Sequence, residues 1–166
     1  MNVAAWAAIH ALTGYAVHRL PVRALERDRW LLRPRPIEQD GRLYIDRLGI
    51  RRWKDRVPEA GALFPGGVSK RQLPVDGGLA RFAVETRRAE LGHWLALAAA
   101  PLFGLWNTPP VTAVMVVYGA ATNLPCIAIQ RYNRIRVTRA LRSRASRSDR
   151  AARARSGRGT TGSSMP

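Results

Sequence analysis

The stretch that decides the fold begins Glu85-Thr86-Arg87-Arg88-Ala89-Glu90-Leu91-Gly92-His93-Trp94 and ends Asn123-Leu124-Pro125-Cys126-Ile127-Ala128-Ile129-Gln130-Arg131-Tyr132-Asn133-Arg134. Between these two polar segments, residues 91–106 and 111–129 are almost wholly apolar, and Asn107-Thr108-Pro109-Pro110 separates them. A helix does not continue through consecutive prolines, so these four residues form a turn. The pattern therefore predicts an antiparallel helical hairpin in a membrane.

The hairpin brings its two polar segments to the same depth. Helices rise by about 1.5 Å per residue, so residues equally far from the turn lie opposite each other. With the turn centred between Thr108 and Pro109, His93 is predicted to meet Asn123. Glu85 is predicted to lie near Arg131 or Arg134, within one helical turn.

Lysine and arginine are segregated from the apolar blocks. Of the 28 basic residues, 17 lie between Arg19 and Arg88 and 11 between Arg131 and Arg158. Basic loops stay on the cytoplasmic side of a membrane, so the N-terminus and the Asn107 turn are predicted outside and the tail inside. Topology and anionic membrane lipids account for the net charge of +17, and nucleic acid is not a predicted partner.

The same pattern predicts an all-α integral membrane protein with three transmembrane helices. Residues 2–17 form a short apolar run that arginines follow rather than precede, which is typical of an uncleaved anchor and not of a secretory signal. The predicted parts are an N-terminal anchor (1–18), a basic cytoplasmic interfacial region (19–78), the motif-bearing hairpin (79–137) and a disordered basic tail (138–166).

The interfacial region is predicted to contain two short amphipathic helices. Tyr44 and Leu48 lie one turn apart, Gly49 can cap a helix, and Trp53 continues the apolar face until Pro58. We expect both helices to lie on the membrane, with Tyr44 and Trp53 at the depth of the headgroups.

Both polar segments resemble the signature segments of the glycosyl-diaponeurosporenoate acyltransferase family, and Arg52-Trp53-Lys54 is a shorter match. The resemblance covers about residues 44–137. That family consists of small bacterial membrane proteins assigned to the last acylation of a glycosylated carotenoid acid. The resemblance implies transfer of a fatty acyl group, from acyl-CoA or an acyl carrier, to a hydroxyl of a glycosylated carotenoid or another glycolipid at the bacterial cell membrane.

An O-acyltransferase needs a base for the hydroxyl and groups that hold the polar end of the donor. His93 is the expected general base, with Glu90 fixing its tautomer and Asn123 donating to the oxyanion. The arginines are expected to hold donor phosphates. The predicted substrate-binding residues are Glu85, Arg87, Arg88, Gln130, Arg131, Tyr132, Asn133, Arg134 and Trp53.

Other interpretations stay open from the residues alone. The pair of His93 with Asn123 can be an interhelical hydrogen bond without catalytic purpose, and the arginines can form ordinary ion pairs. The chain is then a non-catalytic lipid-binding or accessory membrane protein. Cys126 is the single cysteine and Glu90-x-x-His93 occurs once, so neither a metal site nor a cofactor is predicted.

Overall fold

A computed structural model describes residues 1–57 and 78–159, with side chains to residue 155, and this part of the chain is helical apart from its turns. The five α-helices are α1 (Asn2–His18), α2 (Val22–Leu25), α3 (Arg42–Asp46), α4 (Gly78–Ala99) and α5 (Pro109–Gly159). The 3-10 helices within the described residues are Pro36–Gly41, Ile50–Arg52, Lys54–Arg56 and Ala100–Leu105. The predicted all-α class is confirmed.

The predicted hairpin is formed by α4 and α5. Regular helix ends at Ala99, because Pro101 disfavours helical geometry in the residue before it, and the 3-10 helix Ala100–Leu105 completes this arm. α5 begins at Pro109, where a proline loses no hydrogen bond because the first amides of a helix have no partner within it.

α1 packs against the hairpin as a third helix. The buried Trp6 ring lies 5.0 Å from the ring of Phe103 and 5.5 Å from that of Tyr118. At the far end of α1, the Arg88 guanidinium donates to the carbonyls of Val17, His18 and Leu20. The last carbonyls of a helix lack the usual acceptor role within it, so Arg88 holds the end of α1 against α4.

The three predicted membrane spans are not confirmed. By length and composition, one helix of the described residues, Pro109–Arg155, can cross a membrane. α1 has 17 residues, short of the roughly 20 that a bilayer usually takes. α4 has charged residues along its first half, and its apolar half ends early at Ala99.

The short helices of the interfacial region are present, and two of their apolar residues, Tyr44 and Ile50, are buried inside the protein. Tyr44 and Ile50 are buried against Ile129, Tyr132 and Ile135 of α5, which corrects the predicted headgroup position of Tyr44. α5 stays helical beyond its apolar stretch and so continues to offer an apolar face. The interfacial region and the hairpin therefore share one core. Residues 58–77 of this region lie outside the described residues.

The tail predicted to be disordered is helical as far as Gly159. Its alanines and arginines are good helix formers. α5 already supplies the nucleus, so each further residue adds a hydrogen bond without a new nucleation cost. The prediction of disorder is therefore wrong for residues 138–159, and residues 160–166 lie outside the described part of the chain.

Gly119 sets how closely α1 approaches α5. A Cβ atom at this position would lie 2.7 Å from Trp6 Cη2, so we expect Gly119→Ala to push the ring away. Overpacking costs about 1–3 kcal/mol and alanine returns up to about 1 kcal/mol of helix propensity. Thermal unfolding in detergent should show a lower melting temperature.

Gly104→Ala is the control, because its Cβ would meet Thr112 at an ordinary 3.5 Å. Equal melting temperatures for the two variants would contradict the close packing of Trp6 on Gly119.

Candidate active site

His93 of α4 and Asn123 of α5 form a hydrogen-bonded pair across the hairpin. His93 Nδ1 lies 2.9 Å from Asn123 Oδ1, and Asn123 is fully buried. The predicted register of these two residues is confirmed. Two sequence segments that are 30 residues apart therefore meet at one point.

The surroundings of Asn123 determine the tautomer of His93. The Asn123 side-chain amide donates to the carbonyl of Gly119 at 2.9 Å and lies 3.2 Å from the Thr122 hydroxyl. A backbone carbonyl only accepts, so the NH₂ group faces Gly119 and the amide oxygen faces His93. His93 Nδ1 then carries a hydrogen in either protonation state, so the lone pair of the neutral imidazole lies on Nε2. The pair thus makes Nε2 the ring nitrogen that can accept a proton.

An ion network lies one helical turn from this pair. We define it by three carboxylates and three arginines: Asp28, Glu38, Glu90, Arg87, Arg131 and Arg134. At its centre is Glu90, which is fully buried and accepts from Arg131 Nε at 2.7 Å and from Arg134 Nη1 at 2.6 Å. The indole of Trp94 also donates to Glu90, at 3.2 Å. The Glu90 carboxylate therefore has three donors, two of them charged guanidinium groups.

The ion network also joins the hairpin to the segment before α3. Arg131 Nη1 lies 3.0 Å from Glu38 Oε1, and Asp28 Oδ1 lies 2.7 Å from Arg87 Nε and 3.3 Å from Arg134 Nε. Backbone carbonyls contribute too, because Arg131 donates to Leu31 and Arg134 to Leu32. Three separate parts of the chain therefore meet at these charges.

Tyr44 closes the network on the side of α3. Its hydroxyl donates to the Glu38 carboxylate. Burial raises the pKa of Tyr44, and the hydrogen bond and the negative charge of Glu38 raise it further. The phenol consequently stays protonated and serves as a donor at neutral pH.

The structure reassigns two of the expected catalytic contacts. Glu90 was expected to orient His93, but its hydrogen bonds in the described part of the chain go to Arg131, Arg134 and Trp94. Two guanidinium groups attract a buried carboxylate more strongly than a neutral imidazole does. Asn123 orients His93 instead, and its own N–H groups point at Gly119 and Thr122 rather than towards an oxyanion.

The arginines expected to hold donor phosphates are engaged within the protein. Arg87, Arg131 and Arg134 belong to the ion network, and Arg88 binds the end of α1 and also Glu85, at 3.2 Å. The predicted approach of Glu85 to Arg131 or Arg134 is therefore wrong. Glu90 takes that place, since the arginine side chains reach back by about one helical turn from Arg131 and about two from Arg134.

The other predicted substrate-binding residues lie around the same core. Tyr132 is buried and its hydroxyl accepts from Arg51 Nε at 3.4 Å, Gln130 is half-buried, and the indole of Trp53 donates to the carbonyl of Leu48 at 2.9 Å. Asn133 is buried, and its side-chain nitrogen has no hydrogen-bond partner within the described residues. Substrate contact by these residues stays a prediction.

Sequence reasoning missed the partners that the segment before α3 supplies. The chain has 11 acidic residues against 28 basic ones, so carboxylates such as Asp28 and Glu38 could have been expected to attract arginines. The pattern does not say which arginines, because that depends on how the segment folds back over α5.

Within the described part of the chain, no group of three or more His, Cys, Asp or Glu side chains could hold a metal ion.

Comparison with known proteins identifies the family. The family model described as glycosyl-4,4'-diaponeurosporenoate acyltransferase matches residues 28–143. A protein of that name from Staphylococcus aureus (strain bovine RF122 / ET3-1) is 27% identical over 128 residues, 75% of this chain and 76% of its own length. Its counterpart in strain MRSA252 is 28% identical over 129 residues, again 75% and 76%.

A third relative of the same name, from strain USA300, is 30% identical over 109 residues, which are 63% of this chain and 64% of the relative. The chain thus spans about two thirds to three quarters of the relatives it matches. No solved structure matches it significantly. The family match includes both the His93–Asn123 pair and the whole ion network, and the chain therefore belongs to the glycosyl-4,4'-diaponeurosporenoate acyltransferase family.

Proposed function

We propose that this protein transfers a fatty acyl group from a thioester donor to a hydroxyl of a glycosylated carotenoid or another glycolipid at the bacterial cell membrane. The observation that carries the proposal is the His93–Asn123 pair, in which the Asn123 amide oxygen binds Nδ1 and leaves Nε2 as the nitrogen that would act as the base. The family match supports acyl transfer as the reaction, because the relatives are named for it. The donor is an acyl-CoA or an acyl carrier, and the acceptor is held at the membrane surface.

The proposed reaction needs one base and no redox step. Nε2 of His93 takes the proton of the acceptor hydroxyl while the hydroxyl oxygen attacks the carbonyl carbon of the thioester. A carbon–oxygen bond forms, and collapse of the tetrahedral intermediate breaks the carbon–sulfur bond. The leaving thiolate takes the proton from His93. The products are the acylated glycolipid and a free thiol, and His93 is neutral again.

The arrangement of charge supports a site near the cytoplasmic surface. α5 is long and apolar enough to cross a membrane, and two arginines of the ion network, Arg131 and Arg134, follow its apolar stretch. Basic residues are retained on the cytoplasmic side, where acyl-CoA and acyl carriers are found. Anionic lipids add about 1 kcal/mol of attraction for each basic residue near the surface.

The proposed orientation predicts the outcome of reporter fusions. An alkaline phosphatase fusion at Thr108, in the turn of the hairpin, should be active because the turn lies outside, and one after Arg142 should be inactive. Enzyme activity normalised to fusion abundance is the measurement. The reverse result would place the ion network outside the cell and would contradict a cytoplasmic donor.

The reaction itself is tested with the purified full-length chain in lipid nanodiscs. Acyl-CoA or an acylated carrier protein is supplied with glycosylated carotenoid or glycolipid acceptors, and mass spectrometry of the lipid extract measures the ester product. Formation of an acylated acceptor supports the proposal. If the protein binds glycolipid but no donor and acceptor together give product, the non-catalytic lipid-binding role is the better description.

A further inference from the structure

A cavity of about 520 Å³ borders the ion network at Glu38. This volume lies within the range of pockets that bind small molecules. The lining residues that concern its chemistry are Arg33, Arg35, Glu38, Gln39, Asp40 and Ile135. The cavity is therefore walled by the segment before α3 and floored by α5, and it touches the ion network through Glu38.

The cavity offers a positive charge that the protein does not use. Arg33 is exposed, and no hydrogen bond or ion pair holds its guanidinium within the described residues. Arg35 lies over the ring of Trp30, at 5.3 Å from its centroid, and donates to the Trp30 carbonyl at 3.2 Å. A guanidinium over an aromatic face is held in place by cation–π attraction.

The two acidic residues of the cavity are already paired. Glu38 faces Arg131 and Tyr44, and Asp40 lies 3.6 Å from Arg139. The charge that remains available is consequently that of the arginines, which bind phosphate with charge-assisted and often bidentate hydrogen bonds.

The backbone of the cavity wall is strained. Gln39 and Asp40 have positive φ angles of 45° and 55° although neither is glycine, and Gly41 follows with φ of 94°. Gly41 lies next to α5, since a Cβ there would make an ordinary contact with Ile135 at 3.5 Å. Non-glycine residues in this conformation are unfavourable and are concentrated at ligand sites.

The cavity and the His93–Asn123 pair lie along one ridge of α5. Asn123, Ile127, Arg131 and Ile135 recur at four-residue intervals and so form a row on the helix. Asn123 and Ile127 are buried, so the row gives the direction and distance between the two sites and is not itself an open groove. The 12 residues from Asn123 to Ile135 correspond to about 18 Å along the axis. An extended phosphopantetheine arm separates its phosphate from its thiol by a comparable length.

We infer that this cavity binds the phosphate of a 4'-phosphopantetheine group, which coenzyme A and acyl carrier proteins share, and that the arm places the thioester beside His93. Arg33 and Arg35 bind the phosphate. They thus have the role that the sequence analysis predicted for Arg87, Arg88, Arg131 and Arg134. The inference rests on the proposed acyl transfer, because it names the donor class of the same site.

Calorimetry tests the inference. The dissociation constants of 4'-phosphopantetheine and of pantetheine, which lacks the phosphate, are measured with the full-length protein in nanodiscs. We expect phosphopantetheine to bind about 10- to 100-fold more tightly than pantetheine, as for a charge-assisted contact. Arg33→Ala should remove most of that difference and Arg33→Lys should restore part of it. Arg47→Ala is the matched control, because Arg47 is an exposed arginine that directly follows α3 and does not line the cavity. Equal binding of the two probes, or equal effects of Arg33→Ala and Arg47→Ala, would overturn the inference.

Acyl transfer with the two donors then separates the sources of the phosphate. Arg33→Ala should raise the KM for acyl-CoA or for acylated carrier protein, whichever is the donor, with little change in kcat, because the phosphate is remote from the reacting carbon. Acyl transfer without binding of phosphopantetheine would overturn the inference and leave the proposed function intact. Arg33-dependent binding without acyl transfer to any acceptor would support the site and contradict the proposed function.

Discussion

His93→Gln is expected to lower acyl transfer by about 10²- to 10⁴-fold, the usual cost of removing a positioned base. Glutamine can still donate a hydrogen bond to the Asn123 amide oxygen, so the contact between α4 and α5 is retained. It has no group that accepts a proton near neutral pH. Mass spectrometry of the ester product, normalised to folded protein, measures the loss.

His93→Ala is expected to reduce the rate at least as much, but it removes the base and the interhelical hydrogen bond together. It leaves the buried oxygen of Asn123 without a donor, which costs about 1–3 kcal/mol of stability. Comparison of the two variants therefore separates loss of the base from loss of the interhelical hydrogen bond. His18→Gln, a histidine substitution at the end of α1 and outside the motif, controls for the change of residue type.

The pH profile distinguishes a base from a structural histidine. An imidazole accepts a proton only when neutral, so the wild-type rate should fall as the pH is lowered and His93 becomes protonated. This fall should be missing from the residual activity of His93→Gln. Near-wild-type product from His93→Gln at every pH would show that His93 serves only to hold the hairpin together.

The register of the hairpin could be predicted because it depends on few quantities. A proline turn fixes the centre, a constant rise per residue fixes the depth, and His93 consequently meets Asn123 as predicted. The same logic fails for Glu85, because the long side chains of Arg131 and Arg134 reach back along the helix to Glu90. The register of the backbone follows from the turn and the rise per residue. The pairing of long charged side chains depends on how the rest of the chain packs around them.

The partners of the arginines could not be predicted from the motif alone. Asp28 and Glu38 come from a segment that no periodic pattern ties to α5, and their position follows from the burial of Tyr44 and Ile50 against the same helix. A basic segment beside a membrane is typical of lipid contact, and this pattern predicts Tyr44 at the depth of the headgroups.

The helical tail could not be predicted for a different reason. Its polar composition favours disorder only in a chain that must nucleate its own helix, and here α5 supplies the nucleus.

Glu90→Gln is expected to destabilise the fold by about 3–5 kcal/mol, the usual cost of removing one partner of a buried ion pair. Glu90 has no solvent exposure, and the side chain of Arg134 is only 1% exposed. Glutamine carries no charge, so the guanidinium groups of Arg131 and Arg134 lose the carboxylate that lies between them. Glu38 and Asp28 are then the remaining acidic partners of these two arginines in the ion network. The melting temperature in detergent and the yield of folded protein should both fall sharply.

Glu85→Gln is the matched control, because it removes an acidic residue one turn and a half earlier on the same helix. Its pair with Arg88 spans three residues and its side chain is 23% exposed, so the expected cost is a few tenths of a kcal/mol. A second variant, Glu90→Leu combined with Arg134→Met, should recover part of the stability lost in Glu90→Gln, since an apolar pair can replace a buried ion pair.

These variants also decide between the two roles considered for Glu90. If the carboxylate holds the ion network together, the protein that does fold as Glu90→Gln should keep the pH profile of the wild type, because Asn123 still orients His93. If Glu90→Gln instead melts like the wild type but loses activity and its pH dependence, Glu90 acts on His93. That outcome would restore the role expected from the Glu90-x-x-His93 spacing and would contradict the pairing with Arg131 and Arg134.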